Sequence, residues 1–371
     1  MFILKKKDLK IGLALSGGGM RAAIFHLGVL KYLAQEKLLS KISHISSVSG
    51  ASIGIGLVYS CNGNTWPSDT TFICDVLPKV TNFIVKQDIQ WTSLLKLLIS
   101  PYYWDKKVNL LGNVMEQKWK VHGCLQDIPS YPLWTINTTA YESGKDFRIS
   151  AKSMGEMHSN YVMRPNFRLS HAMAASASFP VLIGPYKLKT RKYTWYDETH
   201  TIVVIPRDKI LHLWDGGVYD NMGLDPLFSM ENEKGLEPEI NYLIVSNASG
   251  NIEHKTRQFS FSIENLKRLL DINMDQVASL KSSSVKTVFK KYHNGVYIKI
   301  GEERATILEK CSIEESKRIR SIHKAMKFHD VDFVANYKTT LERIKQKDFD
   351  RILQHGYECA TSIIACYGYL Q

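Results

Sequence analysis

Two glycine-containing turns lie near the start of the chain, each between an apolar run and a helical pattern. The first run, residues 11–16, stops at Gly17, Gly18 and Gly19, after which apolar residues recur at helical spacing to about Leu39. The second run, residues 45–48, meets residues 50–54 and another helical pattern. Repeated strand, tight turn and helix predict parallel strands joined by crossover helices, so we expect an α/β fold.

The second turn has the form Gly-x-Ser-x-Gly, in residues Gly50 to Gly54. A serine between a strand and a helix is the setting of a nucleophile elbow. Glycine at both ends permits the strained backbone and the close approach of neighbouring chain that such an elbow requires. We therefore predict Ser52 as a nucleophile.

The first turn, Ser16 to Arg21, ends at the start of a helix, where free amides and the helix dipole can hold an anion. A phosphate cradle is one interpretation, but the Gly-Lys-Ser/Thr ending of a P-loop is missing. An oxyanion hole for acyl transfer is the other. One crossover helix separates the two turns, so both should lie at the same end of adjacent strands.

A third motif, Asp215-Gly216-Gly217, follows an apolar run. Its aspartate could act as a base. A turn aspartate that caps the next element is the ordinary interpretation of an isolated Asp-Gly pair.

Composition limits the class of protein. The 371 residues carry a formal net charge of +12, which suits an anionic partner such as a phospholipid surface. No apolar stretch is long enough to cross a bilayer and no secretory signal is evident, so we expect a cytoplasmic protein, peripheral at membranes at most. Six cysteines without a Cys-x-x-Cys pair, and scattered histidines, predict reduced thiols and no metal site.

Residues 1–260 are predicted to form the α/β catalytic domain, and residues 261–371 a mainly helical region packed on it, because its amphipathic faces need a partner. A short strand is expected at residues 295–300 within that region. Residues 133–139 and 146–150 are predicted to pair across the turn at 142–145.

Ser-Gly-Gly-Gly-x-Arg, then Gly-x-Ser-x-Gly after one helix, then Asp-Gly-Gly some 160 residues later resembles the ordered signature of the patatin-like phospholipases. The resemblance extends over residues 11–247 and includes residues 171–180, which are similar to the family's Ala-Ser-x-Ala-x-Pro segment. Ser16 and Ala22 depart from many members, which have Asp and Gly there, and are closer to the animal cytosolic phospholipases.

The resemblance implies a three-layer α/β/α fold with a mainly parallel central sheet and a Ser-Asp dyad. Carried over by position, Ser52 is the nucleophile, Asp215 its base, and the amides around Gly17, Gly18 and Gly19 the oxyanion hole. It implies a phospholipid or lysophospholipid substrate and no cofactor. The remaining motif residues support the site: Arg21, Gly50, Gly54, Gly216 and Gly217.

The dyad predicts two-step acyl transfer, in which Asp215 takes the proton of Ser52, Ser52 attacks an ester carbonyl, and water later frees the acyl group. The rate should rise with pH through one carboxylate limb. A limb near 6.5 would instead indicate histidine.

Trp91 to Trp104 is interpreted as an interfacial lid or a core helix. The basic clusters Lys5–Lys7 and Lys187–Lys192 are interpreted as binding anionic headgroups or as solvated loops. Two alternatives to the dyad enzyme are a catalytically idle lipid-binding protein and an α/β-hydrolase with a Ser-Asp-His triad, whose base would be His254, His293, His323, His329 or His355. A nucleic-acid binder fits the charge but has no recognition motif to support it.

Overall fold

The computed structural model describes residues 8–90, 92–93, 106–180, 183–250, 262–309, 311–322 and 325–367. The basic cluster at Lys5–Lys7, His254 and His323 lie outside the described residues, as does the predicted lid at Trp91 to Trp104 apart from Thr92 and Ser93.

The described strands form one sheet in the order β12-β11-β1-β2-β3-β4-β5-β6-β8-β9, with β10 paired to β3 and β7 paired to β10. In chain order they are β1 Ile11–Leu15, β2 Ile42–Val48, β3 Leu133–Ala140, β4 Asp146–Ile149, β5 Ser153–Glu156, β6 Tyr161–Met163, β7 Tyr186–Lys189, β8 Trp195–Tyr196, β9 Val203–Val204, β10 Ile210–Asp215, β11 Tyr242–Asn247 and β12 Gly295–Lys299.

Helices connect the strands. The described α-helices are α1 Gly19–Gln35, α2 Gly50–Cys61, α3 Leu77–Lys86, α4 Lys107–Lys118, α5 Leu169–Ser176, α6 Gly217–Asp220, α7 Ile263–Tyr292, α8 Arg304–Glu309, α9 Ile313–Ile322, α10 Phe328–Ala335 and α11 Gln346–Tyr367. A turn at Asp69–Thr71 and a π-helical segment at Phe72–Val76 lead into α3, and 3-10 turns occupy Leu39–Lys41, Leu125–Asp127 and Thr190–Lys192.

The strands β12, β11, β1, β2 and β3 pair in parallel and carry the core on both faces. Along β1, Leu13 and Leu15 belong to the core shared with α1 and α11, whereas Ala14 belongs to the core shared with α7. Such alternation is the period-two pattern of a strand covered on both sides. The predicted three-layer α/β/α class with a helical C-terminal region is confirmed, and antiparallel strands extend the sheet beyond β3.

Strands β2 and β10 meet end to end along β3. Val48, the last residue of β2, lies opposite Asn137, and Asp215, the last residue of β10, lies opposite Thr138. Because β2 runs parallel to β3 and β10 antiparallel to it, their carboxyl ends point at each other. The residue that follows Val48 is therefore brought to Asp215.

The C-terminal region joins the same sheet. The predicted strand near residue 295 is β12, paired with β11, and the helix α11 crosses α1 closely at Gly28 and Gly356. A Cβ atom at Gly28 would lie 2.1 Å from the carbonyl oxygen of Leu353, so only glycine allows this approach.

The prediction that all cysteines are reduced is wrong. Cys311 and Cys366 form a disulfide with a Cα–Cα distance of 5.2 Å. The pair is 55 residues apart in sequence, and only the packing of the C-terminal helices brings the two together. Among the described helices, none has the length and apolar character needed to span a membrane.

Candidate active site

The sharp turn between β2 and α2 is made by Ser49. Its backbone has φ 53° and ψ −117°, a left-handed conformation that is unusual for a residue with a side chain. Backbone strain of this kind costs of order 1–3 kcal/mol and is found where a side chain must be held out for chemistry. Ser49, rather than Ser52, has the conformation of a nucleophile elbow.

The carboxyl group of Asp215 lies beside this elbow. Burial raises the pKa of Asp215 to about 6, and hydrogen bonds from the Ser49 side chain and the Gly217 amide act in the opposite direction. The Gly217 amide lies 2.8 Å from the Asp215 Oδ1 atom. The backbone amide of Asp215 donates to the carbonyl oxygen of Ser178 at 3.0 Å, which fixes the end of β10. A serine hydroxyl and a buried carboxyl group thus face each other.

Ser52 occupies a different place from the one predicted. It is the third residue of α2, its side chain is fully buried, and its hydroxyl bonds to the hydroxyls of Ser47 and Ser176, each at 2.9 Å. The structure therefore does not bring Ser52 together with Asp215. The physical reason is the position of the strand end: β2 stops at Val48, so the turn falls on the next residue and Ser52 lies one helical turn beyond it.

The buried hydroxyl groups behind the elbow form a chain whose direction is determined by its ends. At one end the Ser176 hydroxyl donates to the carbonyl oxygen of Asn137 at 2.8 Å, so it must accept from Ser52. At the other end the indole N–H of Trp134, which can only donate, donates a hydrogen bond to the Ser47 hydroxyl at 2.8 Å. The four groups are therefore all satisfied in one orientation.

This chain supports the elbow directly. The Ser49 amide donates to the same Ser176 hydroxyl at 2.9 Å, so the strained residue is fixed by a side chain from α5. Ser176 thus contacts the Ser49 backbone directly, and Ser52 is connected to the elbow through Ser176. Ser176 belongs to the segment 171–180 that carries part of the family resemblance.

The glycine turn before α1 packs against the elbow. A Cβ atom at Gly17 would lie 3.2 Å from the Ser49 Cβ atom, and one at Gly50 would lie 1.9 Å from the Gly19 carbonyl oxygen. Gly18 and Gly19 have φ angles of 139° and 63°. These close approaches and dihedral angles explain why the turns need glycine.

The amides of this turn are not equivalent. The Gly17 amide donates to the Asn221 carbonyl oxygen at 2.9 Å, so it is already occupied and does not fit the predicted role in an oxyanion hole. The amides of Gly18 and Gly19 have no acceptor among the described residues and lie at the N-terminus of α1. Since α2 begins at Gly50, directly after Ser49, two helix N-termini converge on the elbow and favour negative charge there.

Arg21 holds the glycine turn to other parts of the chain. Its guanidinium donates to the carbonyl oxygens of Ala335 at 3.1 Å, Tyr337 at 2.6 Å and Ala248 at 3.2 Å. Burial lowers the pKa of Arg21 to about 10, so the side chain remains a cation at neutral pH. These contacts indicate that Arg21 supports the glycine turn.

The remaining motif glycines allow close packing. A Cβ atom at Gly216 would lie 2.4 Å from the Asn137 carbonyl oxygen, and one at Gly217 would lie 3.1 Å from the Asp215 Oδ1 atom. Gly54 lies against the backbone of Ala23 in α1, with a closest approach of 3.3 Å. All three glycines allow the chain segments around Ser49 and Asp215 to pack closely.

The described histidines of the triad alternative lie in the C-terminal region. His355 accepts a hydrogen bond from the Gly301 amide at 2.9 Å, and burial lowers its pKa to about 4. His329 pairs with Asp330 at 3.5 Å near the surface, and His293 caps the end of α7. The groups that the structure brings to Asp215 are a serine hydroxyl and a glycine amide, which favours a dyad. Within the described ranges no cluster of metal-binding side chains occurs.

An elbow serine, a buried carboxyl group beside it and two unoccupied amides at a helix N-terminus are the parts of a serine ester hydrolase site on an α/β fold. The comparison with protein families makes this more specific. A model described as patatin-like phospholipase matches residues 13–228, more than half of the chain. The protein belongs to the patatin-like phospholipase family, whose members are serine ester hydrolases of lipids.

Two solved structures with TM-scores of 0.50 or above share this fold. The chain is similar to human GIVD cytosolic phospholipase A2, with 10% identity and a TM-score of 0.51 over 95% of this chain and 61% of that one. The same human protein with methyl gamma-linolenyl fluorophosphonate and terbium chloride gives 10% identity and a TM-score of 0.50, covering 95% and 57%. VipD from Legionella pneumophila gives 14% identity and a TM-score of 0.39, covering 95% and 66%.

This chain therefore spans about three fifths of the length of the human phospholipase. No curated protein sequence matches it.

Proposed function

We propose that this protein is a lipid acyl hydrolase that cleaves carboxylic esters of phospholipids or lysophospholipids with Ser49 as nucleophile and Asp215 as base. The observation that carries the proposal is the contact between a strained elbow serine and a buried carboxyl group at the meeting point of β2 and β10. Membership of the patatin-like family supports the lipid substrate.

In the proposed first step, Asp215 accepts the proton of the Ser49 hydroxyl while the serine oxygen attacks the ester carbonyl carbon. The carbonyl oxygen becomes an oxyanion, and the Gly18 and Gly19 amides together with the helix dipole stabilise it. Asp215 returns the proton to the leaving alcohol, and an acyl-serine ester remains. Water, deprotonated by the same carboxylate, then releases the fatty acid and restores Ser49.

The low exposure of the pair suits this chemistry. Ser49 is 9% exposed and Asp215 3% exposed, so little water competes for the carboxylate. Electrostatic interactions are stronger in such an environment than in bulk solvent. A carboxylate whose pKa lies near 6 is also a stronger base than an exposed aspartate.

The test is labelling with an alkyl fluorophosphonate, combined with fatty-acid release from mixed phospholipid vesicles. We expect wild type to react and release fatty acid, and Ser49→Ala to do neither. Ser52→Ala is the matched variant: it should still be labelled, at a reduced rate, because it loses only a positioning hydroxyl. Mapping of the labelled peptide should place the adduct on Ser49.

Other outcomes have definite meanings. An adduct on Ser52, with Ser49→Ala still labelled, would return the nucleophile to the position predicted from the sequence. A folded wild type without labelling or release would instead support the idle lipid-binding protein. Asp215→Asn with full activity would remove the dyad from the proposal.

A further inference from the structure

The hairpin between β8 and β10 carries a group of exposed aliphatic side chains. Ile202, Val203, Ile205 and Ile210 are 63%, 62%, 94% and 38% exposed, and we call them the apolar tip. The turn before Ile202 is held by its own side-chain contacts, because the Asp197 carboxylate accepts the amides of Thr201 and Ile202 at 3.2 and 3.1 Å. Ile202 is thus presented to solvent by a hydrogen-bonded turn.

Basic residues lie beside the end of the tip at Ile210. Lys189 lies directly opposite Ile210 in the β7–β10 pair, and the amide of Thr190 donates to the Lys209 carbonyl oxygen, so the turn after β7 lies beside residues 208–209. Five exposed cations on these turns form what we call the basic collar, and none of them has an ion-pair partner in the described part of the chain: Lys189, Arg191, Lys192, Arg207 and Lys209.

Ile210, one end of the tip, lies beyond the edge of the sheet that carries the candidate active site. Strand β10 ends at Asp215 and begins at Ile210, and it runs antiparallel to β3, so Ile210 lies beyond the carboxyl edge where Ser49 is found. Five residues of strand correspond to ~17 Å between Ile210 and Asp215. A flat surface touching the tip would therefore face the edge that carries Ser49.

We propose that the apolar tip and the basic collar dock this protein on the surface of an anionic phospholipid bilayer. Aliphatic side chains of the tip enter the boundary between headgroups and acyl chains, and the neighbouring cations pair with anionic headgroups. The lysine-rich collar favours a lipid surface, because protein interfaces are depleted in lysine. The inference deepens the proposed function, since it supplies the surface from which lipid esters reach Ser49.

The experiment is flotation of the full chain with vesicles of phosphatidylglycerol and phosphatidylcholine. Every protein in this experiment carries Asp215→Asn, so that hydrolysis does not change the composition of the vesicles. Adding Ile205→Asp should lower the partition coefficient by about ten-fold or more, because one aliphatic group and its burial are lost. Exchanging Lys189 and Lys209 for Glu should weaken binding and reduce its dependence on salt.

The matched control is Leu280→Asp, which changes another exposed aliphatic residue, in α7, 71% exposed and far along the chain from the hairpin. We expect its binding to equal that of the parent. Loss of binding in Leu280→Asp with retention in Ile205→Asp would overturn the proposal and move the docking surface to α7. A lipid-free dimer that Ile205→Asp separates would overturn it in favour of pairing through the edge strand β9.

Failure of this inference is distinguishable from failure of the proposed function. Flotation requires no turnover, so binding by an inactive chain would support docking alone. Conversely, wild type that cleaves a soluble short-chain ester but does not bind the vesicles would support the esterase activity and overturn the docking surface. Ile205→Asp, with Asp215 intact, should cleave the soluble ester at the wild-type rate.

Discussion

At the scale of single residues, Asp215 must be both buried and ionised to act as a base. Burial raises its pKa to about 6, so activity measured as kcat/KM should fall as the pH drops through about 6 and reach a plateau above it. The limb lies close to that of an ordinary histidine, so its position alone does not separate the two bases. Titration of carbon-13-labelled aspartate, assigned by comparison with Asp215→Asn, should show a carboxyl group with the same midpoint.

The same burial predicts an effect on stability. The folded state keeps the proton of Asp215 to about pH 6, whereas the unfolded chain loses it near the ordinary value of 3.8. Stability contributed by the protonated group is therefore lost as the pH rises through this window, by up to ~3 kcal/mol. Asp215→Asn should unfold at higher denaturant than wild type at pH 8, and the difference should shrink toward pH 4.

A difference that stays constant between pH 4 and pH 8 would contradict this account of Asp215. The prediction also implies an exchange of stability for activity at one position. Only chemical denaturation at several pH values, with the same slope against denaturant in both variants, gives a valid comparison.

At the scale of secondary-structure elements, α5 supplies two buried serines, of which one is hydrogen-bonded to the elbow and the other is not. Ser176 accepts the Ser49 amide and the Ser52 hydroxyl, while Ser170 is fully buried with no hydrogen-bond partner among the described residues. Ser176→Ala should cost about 1–3 kcal/mol because it leaves buried donors unsatisfied. Ser170→Ala should be neutral or stabilising.

The readouts for this pair are the free energy of unfolding and the rate of fluorophosphonate labelling. Ser176→Ala should slow labelling because the strained conformation of Ser49 loses its support, and kcat should fall more than KM rises. Equal behaviour of the two alanine variants would mean that the hydroxyl chain does not position the elbow.

The elbow also shows what the sequence could and could not predict. Strand, turn and helix, the glycine turn and Asp215 were all predictable, because apolar periodicity and glycine mark them. The sequence analysis placed the nucleophile at Ser52 because the Gly-x-Ser-x-Gly pattern was read at Gly50 and Gly54, whereas the elbow geometry falls on Ser49. The better signal was the strand end: Ser49 follows Val48 directly, and small residues, Ser47 and Ala51, flank it at two positions on either side.

Other features depend on contacts that no local pattern encodes. The occupation of the Gly17 amide by Asn221 joins residues more than two hundred positions apart, and the sequence could not separate Gly17 from Gly18 and Gly19. Likewise, Ile202 and Ile205 look like strand residues in the sequence, and only the structure shows that they face solvent.

At the scale of the whole molecule, the disulfide between Cys311 and Cys366 closes a loop of 55 residues around the C-terminal helices. Cross-linking a loop of this length stabilises by about 4 kcal/mol in the chain-entropy model. A double Cys311→Ser and Cys366→Ser variant should therefore show a lower Tm than wild type. Thiol titration of denatured, unreduced protein should find the four free cysteines, Cys61, Cys74, Cys124 and Cys359.

Six reactive thiols before reduction would show that the pair is open in the purified protein. In that case the double serine variant should match wild type in Tm, and the C-terminal helices would depend on packing alone. Cys61→Ser, at a free and half-buried cysteine, is the control for removal of one thiol.

The contacts of Arg21 determine when, during synthesis of the chain, the glycine turn can be anchored. The glycine turn depends on carbonyl groups at Ala335 and Tyr337, and the Met20 amide donates to Thr340 at 2.9 Å. Ser49 and Asp215 leave the ribosome long before these residues do. A nascent chain therefore carries both groups while the turn beside them still lacks its anchor, and ester cleavage should begin only after Ala335, Tyr337 and Thr340 have been synthesised.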